Sequence, residues 1–94
     1  MTNITNRLAN KGITAYGEHI FTIDVSDKLD ELKPIHDNRE LVLEFVYDLI
    51  ADENCYEANK LFFGYGIDWH DVHYYDGDTT VEILTDNELK GRWN

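Results

Sequence analysis

The clearest hydrophobic pattern in the chain lies in residues 37–54, DNRELVLEFVYDLIADEN. Leu41, Phe45 and Leu49 recur every four residues beside a parallel row of Val42, Val46 and Ile50. Two such rows make a broad apolar stripe and predict one amphipathic helix, with Asp37 or Asn38 as its cap. The polar side of that helix carries Glu40, Glu44 and Asp48, again four apart, and Asp52 continues the row. Upstream, Phe21, Ile23 and Val25 alternate with Ile20, Thr22 and Asp24, the period of a strand with one buried face. Gly17 marks a bulge or turn before that strand. Ile4 and Leu8, followed by Gly12 as a left-handed cap, predict a short N-terminal helix. Ser26 is placed as the N-cap of a two-turn helix carrying Leu29 and Leu32, which Pro34 ends by removing a donor and restricting Lys33.

Downstream, Asn54 is placed to cap a further helix over CYEANKLFF, with Ala58, Leu61 and Phe62 facing inward and Gly64 at its stop. Val72 to Tyr75 and Thr79 to Leu84 predict two strands joined at Asp76-Gly77, a turn in which both positions can take positive φ. Thr85-Asp86-Asn87-Glu88 fits the capping box of a last short helix, closed by Gly91 and followed by Trp93 packing back on the body. The order α, β, α, α, α, β, β, α predicts an α+β fold: a small, mainly antiparallel sheet of about three strands packed against a long central amphipathic helix and shorter helices. No repeat, linker or low-complexity segment interrupts the 94 residues, which read as a single domain over 1–94.

Composition adds little to this picture until charge is mapped along the chain. At 43% hydrophobic and 13% aromatic, the sequence has what a packed core needs. It has no run approaching the ~20 apolar residues of a membrane span. The polar start MTNITNRLANKG lacks the apolar stretch of a secretory signal, and the single Cys55 has no internal disulfide partner, so a reducing, cytoplasmic setting is the expectation. Net charge is −11. Residues 1–39 are nearly balanced, with six acids and five bases, whereas residues 40–89 hold thirteen acids and one base, Lys60. That field opposes direct contact with nucleic acid or anionic lipid, whose phosphates it would repel.

Candidate chemistry is thin. The richest polar cluster, Asp68-Trp69-His70-Asp71-Val72-His73-Tyr74-Tyr75-Asp76-Gly77-Asp78, has ligand types that suit a metal, but on a strand His70 and His73 point to opposite faces. Asp76-Gly77-Asp78 lacks the further oxygen ligands and closing glutamate of a calcium loop. Cys55 has no neighbouring base in sequence, and no phosphate-binding loop or hydrolase motif is present. No metal, cofactor or catalytic residue is therefore assigned, and the chain reads as a binding protein rather than an enzyme. The aromatics Tyr65, Trp69, Tyr74 and Tyr75 are either half-buried sheet residues or part of a protein-binding surface.

The acid row remains. Along a helix its members rise about 6 Å and drift by about 40° per step. Each like-charged pair at this spacing costs about 0.2–0.5 kcal/mol, where an ordinary surface helix would place lysines and gain that energy. One reading is a plain solvated acidic face. The other is a line of anions about two base-pair rises apart, as a nucleic-acid backbone presents. In charge layout, though in no motif, the chain resembles the small acidic DNA mimics by which phages block restriction, CRISPR and other host nucleic-acid enzymes. The resemblance implies an inhibitor of a basic nucleic-acid enzyme or defence complex; an antitoxin or immunity protein would use the same physics. Glu40, Glu44, Asp48 and Asp52 would supply the contacts, with Glu53, Glu57, Asp71, Asp76 and Asp78 as an outer ring. Two other classes stay open: a metal-dependent or small-molecule enzyme using residues 68–78, and a homo-oligomeric assembly protein joined through its aromatics, for instance a homodimer.

Overall fold

A computed structural model describes residues 7–9, 12–14 and 17–85 and shows an α+β fold. Its sheet is antiparallel throughout, with β3 (Gly17–Asp24) and β5 (Thr80–Thr85) at the centre and β4 (Val72–His73) beyond β5. The other edge of β3 is shared by β1 (Leu8–Ala9), which pairs with Thr22 and Ile23, and β2 (Gly12–Thr14), which pairs with residues 17–19. The short helix predicted across residues 1–12 is thus replaced by strand at Leu8–Ala9 and from Gly12. Two apolar anchors cannot nucleate an isolated helix, whereas the open edge of β3 offers unpaired backbone donors and acceptors. Gly17 faces Thr14 in a tight antiparallel pairing, and the bulge sits later, between His19 and Phe21. The extra residue there, Ile20, joins Phe21 in the core, although strict alternation would have turned it to the opposite face with Thr22.

Between β3 and the main helix the chain makes a turn, in which the Ser26 amide donates to Asp24 Oδ1. Ser26 is therefore not a helix cap. The α1 helix (Leu29–Leu32) is a single turn, prolonged by a 3-10 turn over Lys33–Ile35 that accepts Pro34 where no donor is needed. The principal helix α2 (Arg39–Glu53) begins at Asn38, whose side chain accepts from the Leu41 amide at 3.2 Å. Asn54 does the same for α3 (Cys55–Tyr65), accepting from the Glu57 amide at 2.9 Å. That helix ends at Gly66 rather than Gly64: Gly66 has φ +65, and the amides of Gly66 and Ile67 return to the Phe62 carbonyl. A 3-10 turn over Trp69–Asp71 leads into β4. The β4–β5 connection is longer than a two-residue hairpin. In it the Asp78 amide closes on the Tyr75 carbonyl, and only Gly77, at φ +91, takes the left-handed region. The capping box expected at residues 85–88 and the packing of Trp93 lie outside the described residues, apart from Thr85, which ends β5.

Cross-strand neighbours Phe21 and Ile83, Ile23 and Val81, and Val72 and Ile83 build one apolar sheet face. Val42, Val46 and Ile50 from α2 complete this core with Leu32, Ala58, Leu61 and Phe62. The two predicted rows of α2 are not equivalent. Val42, Val46 and Ile50 are fully buried, Phe45 and Leu49 are half-buried, and Leu41 is 42% exposed. The helix therefore seats on the 42/46/50 row, flanked by Leu43 and Tyr47 on the side that meets α3.

Ile50→Ala is expected to destabilise the fold by about 2–5 kcal/mol and Leu41→Ala by less than about 0.5 kcal/mol, because only the first opens a cavity. The shift in urea unfolding midpoint of the two variants measures the difference.

Candidate functional site

Turning α2 so that Val46 faces the sheet places the acid row on the opposite side. Glu40, Glu44, Asp48 and Asp52 are all exposed. No cation lies on their own helix beyond Arg39 at its start. Lys28, on the turn before α1, lines a shallow cleft with Glu31, Phe45, Asp48, Leu49 and Asp52, but it pairs with Glu31, at 3.9 Å. The row thus forms a ridge between two flanks, α1 on the Phe45–Leu49 side and α3 on the Tyr47 side.

The five outer acids separate into different roles. Glu53 turns away from the row toward Arg7, whose Nε lies 3.4 Å from Glu53 Oε2. Arg7 also pairs with Asp27 at 3.3 Å and donates to the Asp24 carbonyl at 2.7 Å, so one guanidinium joins the β1 edge, the turn after β3 and the end of α2. A cation at that place also answers the partial negative charge of a helix C-terminus. Glu57 is half-buried and lies about 160° around α3 from Asn59, the residue whose side chain faces Tyr47 of α2. It does not extend the ridge. Asp71 is buried at 2% exposure and serves the backbone: its Oδ2 accepts from the Asp68 amide while Asp68 Oδ1 accepts from the His70 amide. A buried carboxylate with this duty is closed to a partner. Asp76 and Asp78 are exposed in the β4–β5 turn, where Asp78 also accepts from the Tyr75 amide at 3.1 Å.

That turn reaches the N-terminal end of α2. His36, Asp37, Arg39, His73, Tyr74, Tyr75 and Asp76 line a cleft of about 570 Å³ between them. The field is mixed at this end, since Arg39 and two imidazoles stand among the carboxylates. Burial raises the Tyr74 phenol above its usual range, with Asp78 and Asp76 adding to the effect. The other histidine of the 68–78 cluster, His70, is elsewhere: it is exposed, stacks on Trp69 at 3.8 Å and lies 3.3 Å from Asp68. Among the described residues no three histidine, cysteine or carboxylate side chains converge as a metal site.

Sequence reasoning missed an exposed aromatic pair on α3. Phe63 is 76% exposed and Tyr56 75%, and seven residues bring them to the same side of the helix. The signal was present in the spacing, but an inward assignment of Ala58, Leu61 and Phe62 left Phe63 unconsidered. Of the aromatics singled out from the sequence, Tyr75 is largely exposed, Tyr65 and Trp69 are partly exposed, and Tyr74 packs against the core. Among the described residues no helix is long and apolar enough to cross a membrane. The chain matches no protein-family model, no curated protein and no solved structure.

The Arg7 cluster carries a pH signature. Its hydrogen bond to Asp27 holds that carboxyl below its ordinary 3.8, and the Ser26 amide does the same for Asp24. Because the folded value is depressed, the stabilisation is complete above the unfolded value and is lost as pH falls through the folded one. The stability difference between wild type and Asp27→Asn should therefore be constant from neutral pH to about pH 5 and shrink toward zero below about pH 3.8. Urea titrations across that range check it; a difference unchanged at low pH would remove the Arg7–Asp27 pair as the cause.

Proposed function

We propose that this protein is a small acidic inhibitor that binds a basic, nucleic-acid-handling protein through the exposed face of α2. The observation that carries the reading is the ridge Glu40, Glu44, Asp48 and Asp52: four carboxylates on one side of a helix whose opposite side is locked into the core. Three like-charged steps along it cost on the order of 1 kcal/mol together, and no lysine on the helix itself offsets them. Seating the helix on Val42, Val46 and Ile50 supplies the stability to carry that cost, and the ridge gives it a use. Anions about 6 Å apart along the axis form a line of negative charge at about two base-pair rises per step, to which a basic nucleic-acid-binding groove is complementary. Such a ridge accelerates encounter with a cationic partner, and the complex weakens as salt rises. Asp76 and Asp78 belong to the candidate contacts at the far end, whereas the buried Asp71 and the Arg7-bound Glu53 support the fold.

A direct test uses the immobilised protein to recover a nucleic-acid enzyme from the cell in which it is expressed, at low and at raised salt. The recovered enzyme is expected to lose turnover on its nucleic acid when the wild-type protein is added. The variant Glu40→Gln/Glu44→Gln/Asp48→Asn should neither recover nor inhibit it. Equal recovery and inhibition by the neutralised variant, with an unchanged unfolding midpoint, would end the reading.

A further inference from the structure

The aromatic face of α3 and the carboxylate ridge of α2 are continuous. Glu44 and Tyr47 are neighbours one turn apart on α2. The Tyr47 ring lies 6.4 Å from Phe63 and 5.3 Å from the buried Phe62, and its hydroxyl donates to Asn59 Oδ1 at 2.5 Å. Asn59 and Phe63 thus line the seam between the helices, and Tyr56 continues the same outward side of α3. Lys60, the one base in residues 40–89, lies past Tyr56 on the flank away from α2 and bounds the face there. Two rings exposed by three-quarters beside a carboxylate ridge are costly to leave in water and are the side chains that interfaces bury.

We infer that Tyr56 and Phe63 form, with Tyr47 and the adjoining Glu44 of the ridge, a docking face for an arginine-bearing surface of a basic protein. The inference rests on the proposed role of the α2 ridge and names the chemistry that the ridge engages. Charge complementarity selects a cation, and the rings select which one. A planar guanidinium stacks on Tyr and Phe faces while its donors reach a carboxylate in bidentate fashion; an ammonium is a hydrated point charge that gains less from a ring. The carboxylates would bring the partner in, and the rings would hold it once desolvated.

Octa-arginine and octa-lysine peptides, of equal charge, separate the two contributions in a titration at low salt. Wild type is expected to bind octa-arginine the more tightly. Tyr56→Ala/Phe63→Ala should weaken octa-arginine about fivefold or more and octa-lysine less than about twofold. Phe63→Tyr, which keeps the ring, should preserve the preference. Both aromatic positions are exposed, so an unchanged urea midpoint is expected for each variant. Glu44→Gln/Asp48→Asn should weaken both peptides more than Asp30→Asn/Glu82→Gln, an equal charge change at two exposed acids outside the candidate contacts. No loss of arginine preference on removing the rings overturns the α3 face while leaving the ridge in place. Equal losses from the two charge-neutralised pairs overturn the ridge itself, since binding would then follow net charge alone. Sedimentation showing a dimer that Phe63→Ala dissolves would assign the face to a second copy of the chain and overturn the inference.

Discussion

The seating of α2 on Val42, Val46 and Ile50 is the constraint on which the rest of the molecule depends. These three side chains are at most 1% exposed and close the apolar sheet face built from Phe21, Ile23, Val25, Val72, Val81 and Ile83. A buried row of β-branched residues fixes the rotation of the helix about its axis, because turning it by one residue would lift a packed side chain out of the core. Everything on the other side then follows geometrically. Glu40, Glu44, Asp48 and Asp52 cannot turn inward without unseating the row, and Leu41 is carried outward with them.

The nineteen acids of the chain do not form one uniform field. Some are consumed locally as hydrogen-bond acceptors: Asp24 for the Ser26 amide, Asp68 and Asp71 in the 3-10 cap, Asp78 in the β4–β5 turn. Others are paired, with Asp27 and Glu53 on Arg7 and Glu31 near Lys28. What distinguishes the α2 ridge is that its four aligned carboxylates have neither duty among the described residues and run beside exposed aromatics. Solubility needs net charge but not alignment of the charges. An aligned row accepts repulsion that a mixed surface would avoid, and this difference separates a candidate interface from a merely acidic exterior.

The N-terminal part of the fold shows how a few polar contacts organise short elements. The strands β1 and β2 are two and three residues long, too short to persist alone, and they share the edge of β3. Arg7 reinforces that edge by reaching both the turn after β3 and the end of α2, which lie twenty and forty-six positions away in sequence. A single long side chain therefore links strand, turn and helix, and no local pattern around Arg7 announces it.

The local pattern determined the elements with strong local signals: α2 with a cap at Asp37 or Asn38, of which the fold uses Asn38, α3 with Asn54 as cap, the β3 strand, the β4–β5 pairing and hence the α+β class. These were legible because a stripe of apolar residues, an Asx cap and an alternating strand each act within a few residues. Where the outcome depended on a distant partner, the chain alone was insufficient. Leu8 and Gly12 became strand because β3 offered an edge, and Ile20 became core because a bulge opposite β5 turned it inward. Two apolar rows on α2 looked equal until the sheet selected one of them. The acid row could be read as exposed from its angle alone, yet Glu53 and Asp71 looked no different in sequence from Glu44 and Asp48. Only tertiary packing decided which carboxylates faced Arg7 or a buried amide and which faced water, because burial and pairing are set by residues far away along the chain.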